Sequence, residues 1–486
     1  MQQTRVVAFP SLIVSIGVAV ASAWLYFARS SLPIPAGAAA SAALLLFTLG
    51  FFALAIVPES FTALLFFVVG TMAGIAPPAV LFSGFTTGAF WLVFAGLILG
   101  EAMKKTGLAD TLARAMLARA PGSYTTLIGL VALLSGLLCF IMPSTPARIL
   151  LLLPLLMAMA AQLGLAPGSR GYIGVCLTCI LTSYYVGATI LTANAPNLVL
   201  AGAAENLHNV SISYTRYLWA LFPVLGVVKA LVIWLLMAKL FSTPLQRRAS
   251  EESPPAHTLD MPQRRLAILL ALTLLTWLTD GLHHIHPGWI ALTAVALCLL
   301  PVIGVLPPSA LNNPVNIAPL LYLAAALGIG SLINHSGLVD VFAQHVDAFL
   351  ALSASAGYSH YFNVALFTTL AGLFTTNPGL PALTAPLAVP FAGQSGWSVE
   401  TALMLTAVGY TTLLAPYQAP PIVIGLHVSG IAARRALGIT AAIALLSVAV
   451  LWPLNYLWWH LIVPARLEAS YRQAPQAVCS KSPALA

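Results

Sequence analysis

Long apolar runs follow one another through nearly the whole chain, near 10 to 28, 34 to 57, 61 to 83, 88 to 103, 124 to 142, 146 to 163, 171 to 201, 217 to 241, 265 to 282, 287 to 305, 316 to 333, 361 to 374, 379 to 393, 401 to 429 and 436 to 462. A bilayer core about 30 Å thick is crossed by about 20 residues of α-helix, so the pattern predicts an all-α polytopic membrane protein. The first run starts after Met1 to Phe9, with Arg5 as its only flanking charge, and shows no small-x-small cleavage site followed by a soluble domain. It is expected to be a retained first span rather than a signal peptide. Four polar, proline-containing tetrapeptides interrupt the apolar pattern: the proline-bracketed Pro143-Ser144-Thr145-Pro146 with its downstream partner Asn194-Ala195-Pro196-Asn197, then Thr375-Thr376-Asn377-Pro378 with its partner Gln418-Ala419-Pro420-Pro421.

These interruptions repeat. The first and third tetrapeptides lie 232 residues apart, and Pro154 and Pro386 follow them at the same interval. Thr106-Gly107-Leu108-Ala109-Asp110 and Ser336-Gly337-Leu338-Val339-Asp340 each close a span and open an amphipathic stretch, 230 residues apart. The one long polar stretch inside the chain, 242–265, carries Arg247, Arg248, Glu251, Glu252, Pro254 and Pro255 and separates the two copies. The expected organisation is an N-terminal half (1–241), a cytoplasmic linker (242–265), a C-terminal half (266–462) and a tail (463–486). An odd number of spans, five, separates equivalent points, so the halves are expected to be inverted relative to each other. Inverted repeats with interrupted helices point to a transporter with a binding site near the bilayer midplane.

The chemistry of the interruptions follows from their solvent. A backbone that leaves helical geometry in hydrocarbon exposes N–H and C=O groups costing several kcal/mol each unless protein, water or a ligand satisfies them. A helix restarting at Pro146 or Pro378 would aim free N–H groups and a partial positive charge at the break, which suits a carboxylate, sulfate or phosphate oxygen. Carbonyls at the same turn, together with the side-chain oxygens of Ser144, Thr145, Thr376 and Asn377, suit a dehydrated Na⁺. Asn197 and Asn377 could also serve as hydrogen-bonding glue between helices.

Pro143-Ser144-Thr145-Pro146-Ala147-Arg148 resembles the P-S-N-T-A-R signature of the divalent anion/sodium symporter family, in its di- and tricarboxylate branch, and Ile190 to Asn197 is similar to that branch's broken fifth helix. The resemblance extends over roughly 88 to 240 and 316 to 460. It implies an inverted-repeat transporter with about 11 transmembrane helices and two re-entrant hairpins, at 124–163 and 361–393, whose tips hold substrate carboxylates and Na⁺. An elevator-type motion and a homodimer are implied likewise. Carried over position by position, the first tip triplet falls on Ser144, Thr145 and Pro146 and the second on Thr376, Asn377 and Pro378. The substrate-binding residues so implied are Ser144, Thr145, Arg148, Asn194, Thr376, Asn377, Gln418 and Ala419. One Na⁺ site would comprise Ser144, Thr145 and Ala193, the other Thr375, Asn377 and Tyr417. Where the family has threonine at the end of both triplets this chain has proline, and the first asparagine is Thr145. One cation site therefore loses an amide oxygen and the substrate loses two hydroxyl donors.

Composition and charge narrow the class. Hydrophobic residues make up 60% of the chain and charged residues 7%, which excludes an ordinary soluble domain. The net charge of +8 is no sign of nucleic-acid binding, because the basic residues sort by side of the membrane. With the N-terminus cytoplasmic and both hairpins returning to their own side, eleven spans place Arg5, Lys104, Lys105, Arg114, Arg119, Arg170, Arg247, Arg248, Arg264, Arg265, Arg434 and Arg435 in cytoplasmic segments. External loops keep Arg29 and Arg216, and Arg466, Arg472 and Lys481 sit in the external tail. A bacterial inner membrane is the expected location.

Among the remaining chemistry-bearing residues, Arg148 is the only arginine within an apolar segment and is expected near an anion or snorkelling into a vestibule. Lys229 is expected to snorkel or pair locally, and His427 to be a packed histidine. Cys176-Leu177-Thr178-Cys179 reads as helix packing, and His283, His284 and His286 as an external turn. No Asp or Glu is read as lying deep in a span, Glu101 and Asp280 being near ends, which favours Na⁺ symport or anion exchange over proton relays. The expectation is a secondary active transporter of small di- or tricarboxylates, Na⁺-coupled and without a bound cofactor. The alternatives are a carrier of sulfate or another inorganic divalent anion, a sodium-independent dicarboxylate exchanger and a cation/proton antiporter. No nucleophile or acid–base constellation of an enzyme is present.

Overall fold

The computed structural model of the chain describes residues 9–54, 57–117, 122–245, 259–301, 304–312, 317–339, 357–392 and 397–462. The middle of the expected linker, the tail and Asp340 lie outside the described residues. Helices α1 (Phe9–Phe27), α2 (Ala36–Leu54) and α3 (Glu59–Met72) pack in sequence. The run expected over 61–83 is not one helix. Gly74 takes φ +61°, open to glycine because it lacks a Cβ, and Pro77-Pro78 remove amide donors, so the chain turns before the short α4 (Pro78–Leu81). Next come α5 (Gly88–Thr106), ended by left-handed Gly107, and the amphipathic α6 (Leu108–Leu117).

The first interrupted pair is α7 (Tyr124–Ile141) and α8 (Thr145–Gln162), joined through 142–144. Both touch α6 and both pack on α9 (Arg170–Gly187), as they do when the chain doubles back at the join. The chain is irregular over 188–194 before α10 (Ala195–His208), so the apolar run 171–201 is two helices. Then α11 (Tyr214–Leu221), a π-helical turn (Phe222–Val228) and α12 (Lys229–Leu240) form one continuous run. Beyond the linker lie α13 (Met261–Leu278), α14 (Asp280–His283), α15 (Pro287–Cys298), which packs on α5, and α16 (Ala318–His335), followed by left-handed Gly337.

The second half repeats the order of breaks. Helix α17 (Gly357–Ala371) leads through 372–379 to α18 (Leu380–Thr384), which continues by a 3₁₀ turn into α19 (Ala388–Ala392). This helix restarts at Leu380 rather than at Pro378, with Thr376 O accepting from the amides of Gly379 (2.9 Å) and Leu380 (3.2 Å). Helix α20 (Val399–Tyr410), the irregular stretch 411–419 and α21 (Pro420–Ser429) match α9 and α10. Finally α22 (Ala433–Leu446), a second π-helical turn (Ser447–Leu451) and α23 (Trp452–Ile462) match α11 and α12. Pro223 lies within the first π turn and Pro453 two residues beyond the second, and each lacks the N–H of the i→i−4 ladder. The halves interlock at their second breaks: α21 packs on α8 and α9, and α10 packs on α18 and α20.

Among the described residues, the helical runs long and apolar enough to cross a membrane are Tyr124–Ile141, Thr145–Gln162, Tyr214–Leu240, Ala318–His335 and Ala433–Leu461. Breaks shorten several of the others. The histidine cluster forms a turn: His284 has φ 54°, His283 Nδ1 accepts from the Ile285 amide (3.0 Å), and His286 Nδ1 accepts from the Gly288 amide (3.0 Å) while its Nε2 pairs with Glu205 at 2.7 Å.

Asp280, 5% exposed, pins the N-terminus of α11 to α14. Its Oδ2 accepts from Ser213 Oγ (2.9 Å), the Tyr214 amide (2.6 Å) and the Thr215 amide (3.4 Å). Charge-assisted caps of this kind contribute about 2 kcal/mol. Asp280→Ala should therefore lower the thermal-unfolding midpoint of the detergent-purified protein clearly, and Ser213→Ala less so; an unchanged midpoint in Asp280→Ala would contradict this role.

Candidate anion site

The four interruptions meet around one cavity of about 350 Å³. One wall is made by helix starts: Ser144 and Thr145 at α8, Asn194 and Ala195 at α10, Ala419 and Pro420 at α21, with Pro378 just ahead of α18. Proline fits these first turns because its absent N–H would be unbonded there in any case. Three helix N-termini thus present their partial positive charge to one space, a favourable environment for an anion. The opposite wall carries Glu59, Ser60 and Tyr322 from α3 and α16.

Behind the first wall lies Arg148, fully buried and not exposed to the cavity. Its guanidinium donates to Met142 O, Ala193 O (3.1 Å), Thr145 Oγ1 (2.8 Å) and Ser183 O (3.0 Å). Met142 caps the C-terminal end of α7 and Ser183 lies near that of α9, so the cation sits between two negative helix poles. Thr145 Oγ1 in turn donates to Ala193 O and Asn194 Oδ1, both at 3.3 Å, and Ser144 Oγ caps α8 by accepting from the Ala147 amide. Ser144, Thr145 and Ala193 are therefore brought together, with the guanidinium already on the Ala193 carbonyl. Asn194 accepts from the Ala195 amide through Oδ1, leaving its buried Nδ2 without a partner among the described residues and at the cavity wall.

The second half is arranged differently. Asn377 Nδ2 donates to Tyr184 Oη (2.5 Å) and Tyr410 O (2.8 Å), and its amide donates to Gln418 O (2.7 Å). Gln418 Oε1 accepts from the Leu414 and Ala415 amides at 2.7 and 2.8 Å, holding its own loop. Tyr417 is 51% exposed and its hydroxyl donates to Leu373 O, away from Asn377's side chain. The hydroxyls of Thr375 and Thr376 are buried with no hydrogen-bond partner among the described residues. Lys229, fully buried instead of snorkelling, donates from Nζ to Thr411 O (2.7 Å) at the C-terminal end of α20, with Nζ 5.0 Å from the centre of the Tyr185 ring. Each half thus has a buried side-chain cation at the carbonyl end of its second broken helix.

Ser144, Thr145, Asn194 and Ala419 line the cavity, whereas Arg148, Thr376, Asn377 and Gln418 support the tips around it. Sequence reasoning missed the tyrosines that tie the halves together: Tyr184 Oη donates to Tyr410 O (3.3 Å), and Tyr217 Oη lies 2.9 Å from both Tyr410 Oη and Ala188 O. It also missed Glu59, hidden at the start of an apolar run. The adjacent Pro58-Glu59-Ser60, an acidic helix start, was the available signal. A larger groove of about 560 Å³ between α7 and α12 is lined almost wholly by apolar side chains and offers an anion nothing.

Comparison with known proteins agrees with this geometry. The transmembrane-region profile of the sodium:sulfate symporters matches residues 14–464. The L-tartrate/succinate antiporter of Escherichia coli is 24% identical over 367 residues, 70% of this chain and 72% of that protein. A protein of Cupriavidus necator described only as a membrane protein is 26% identical over 355 residues, 70% of this chain and 68% of its own. Among solved structures, the YdaH transporter of Alcanivorax borkumensis superposes with TM-score 0.55 at 19% identity, covering 88% of this chain and 99% of that one. MtrF of Neisseria gonorrhoeae superposes with TM-score 0.53 at 15% identity, covering 92% and 98%. The two structures share the fold. The chain belongs to the sodium:sulfate, or divalent anion/sodium, symporter family; it is an integral membrane transporter and not an enzyme.

Close approach at Gly187 makes the Arg148 clamp testable. A Cβ there would stand 2.5 Å from Arg148 Nη2, whereas one at Gly100 would meet nothing within 4 Å. Gly187→Ala should displace the guanidinium, cost about 1–3 kcal/mol and abolish transport; Gly100→Ala should leave both thermal stability and transport unchanged. Normal transport by Gly187→Ala would mean the clamp is not needed.

Proposed function

We propose that this member of the divalent anion/sodium symporter family exchanges small dicarboxylates across the membrane without Na⁺. The observation that carries the reading is the first break: Thr145 stands where the family signature has asparagine, and its hydroxyl and the Ala193 carbonyl, oxygens a coupling Na⁺ would need there, already accept from Arg148. A cation built into the chain cannot be released. If the tip region moves as a unit, an empty carrier would carry the charge of Arg148 through low dielectric without a bound anion, which is costly. A bound dianion compensates it, so movement in both directions is favoured when loaded. The E. coli relative named as an L-tartrate/succinate antiporter supports both exchange and a four-carbon dicarboxylate. The cavity volume is near the lower end of ligand sites, about 300 Å³, consistent with a small anion.

A second reading retains one Na⁺ at the second break. Oxygens converge beside Gly379, where a Cβ would stand 2.9 Å from Thr375 Oγ1, 3.3 Å from Tyr322 Oη and 3.5 Å from Thr376 O. Glycine leaves that space open, and the Thr375 and Tyr322 hydroxyls lack partners among the described residues. Sulfate remains the alternative anion for the same helix ends. The reading further includes an elevator-type motion of the tip-bearing helices and a homodimer, both taken from the family resemblance. It places the protein in a bacterial inner membrane with a cytoplasmic N-terminus, supported by the bacterial relatives and the distribution of Lys and Arg.

Proteoliposome counterflow tests it. Labelled succinate should enter vesicles preloaded with succinate or tartrate, at the same rate in Na⁺ and in choline buffer, and should not enter empty vesicles. Uptake into empty vesicles driven by a Na⁺ gradient would overturn exchange in favour of symport; selective counterflow of sulfate would replace the substrate. Among Arg148 variants the exchange rate should fall in the order Arg, Lys, Gln, because Lys keeps the charge but cannot reach four acceptors and Gln keeps neither.

A further inference from the structure

Among the described residues, Glu59 is the one carboxylate at the cavity wall, and the anion-carrier reading gives it no role. It is the first residue of α3, faces the same space as the helix starts of α8, α10 and α21, and makes no hydrogen bond or ion pair among the described residues. Tyr322 lies beside it in the lining with its hydroxyl buried. Among the described residues, Glu59 has no fixed counter-charge at contact distance. Helices α2 and α4, packed against or adjoining α3, carry no ionisable residue, and α16 carries only Tyr322 near its start and His335 at its far end. The segments of α5, α8, α10 and α21 that reach the cavity contribute no charged side chain, and Tyr184 is the only other ionisable group in the lining. The buried cations stand behind the wall, Arg148 on the carbonyls of Met142, Ser183 and Ala193, and Lys229 on Thr411 O.

An ionised carboxylate opposes a dianion in the same small space. Protonation reverses this: a neutral carboxyl removes the repulsion and can itself donate a hydrogen bond to a substrate carboxylate. We propose that Glu59 takes up one proton from solution when the dianion enters and releases it when the dianion leaves, so that anion binding is proton-linked. The proposal rests on the anion-carrier reading but not on exchange or on the identity of the dianion. The sign is fixed by linkage. Because the bound dianion raises the proton affinity of Glu59, substrate affinity is greatest when the carboxyl is already protonated. It should fall by about tenfold per pH unit above the pKa of Glu59 in the empty cavity.

Calorimetric titration of the purified full-length protein with succinate, and separately with sulfate, measures this directly between about pH 7 and 9, where both succinate carboxyls are ionised. The wild type should lose affinity as pH rises and take up about one proton per dianion, read from the dependence of the heat on the buffer's ionisation enthalpy. Glu59→Gln should bind with no pH slope and no proton uptake, and more tightly than wild type at the highest pH. Wild-type binding that is flat in pH, or a slope retained in Glu59→Gln, overturns the proposal; if that variant does not fold, the wild-type proton count decides alone. Affinity that follows Na⁺ with no proton taken up also overturns it, by showing that a metal ion neutralises the site. Binding of sulfate but not succinate, with the same slope, upholds Glu59 and removes only the dicarboxylate reading; no binding of either overturns both.

Discussion

Helices that stop halfway leave carbonyl and amide groups with no partner in a medium without water, and that constraint organises the centre of this protein. Each of the interruptions is resolved by named side chains. The carbonyls that α9 leaves behind accept from Asn197, whose Nδ2 reaches Gly187 O and Ile190 O, and from Arg148. Lys229 answers for the end of α20. In the second half Gln418 serves the opposite polarity, binding two amides through its Oε1. Once carbonyl ends are neutralised from behind, the positive dipole ends of α8, α10 and α21 are what faces the cavity. Anion recognition is the consequence of that division.

The same division bears on energy coupling. Carbonyl ends held by mobile Na⁺ would tie substrate binding to a sodium gradient, whereas carbonyl ends held by Arg148 make the positive charge there permanent. A permanent charge demands a permanent counter-charge during any crossing. In the proposed reading the dianion supplies it on loaded crossings, which is why exchange is favoured.

Much of this was legible in the chain. Proline beside polar residues marked every break, and the repeated Gly107 and Gly337 both take left-handed conformations that end their helices. Ser144, Thr145, Asn194 and Ala419, which the family resemblance implied as substrate-binding residues, line the cavity. Two things were not legible. Hydropathy marks apolar runs but not where they bend, so 61–83 looked continuous although Gly74 and Pro77-Pro78 divide it. Nor does it say which way a polar side chain turns: Asn377 and Gln418 were expected to meet ligands but bond instead to Tyr184, Tyr410 and their own loop. Glu59 escaped notice because depth depends on the packing of α3 against α16, a contact between residues far apart in sequence.

The central claim is that Arg148 stands where a coupling cation would otherwise be bound. Simultaneous measurement of radioactive Na⁺ and labelled succinate entering proteoliposomes under exchange conditions tests it most directly. The account predicts succinate entry with no accompanying Na⁺ at any sodium concentration. Entry of one or more Na⁺ with each succinate would contradict it.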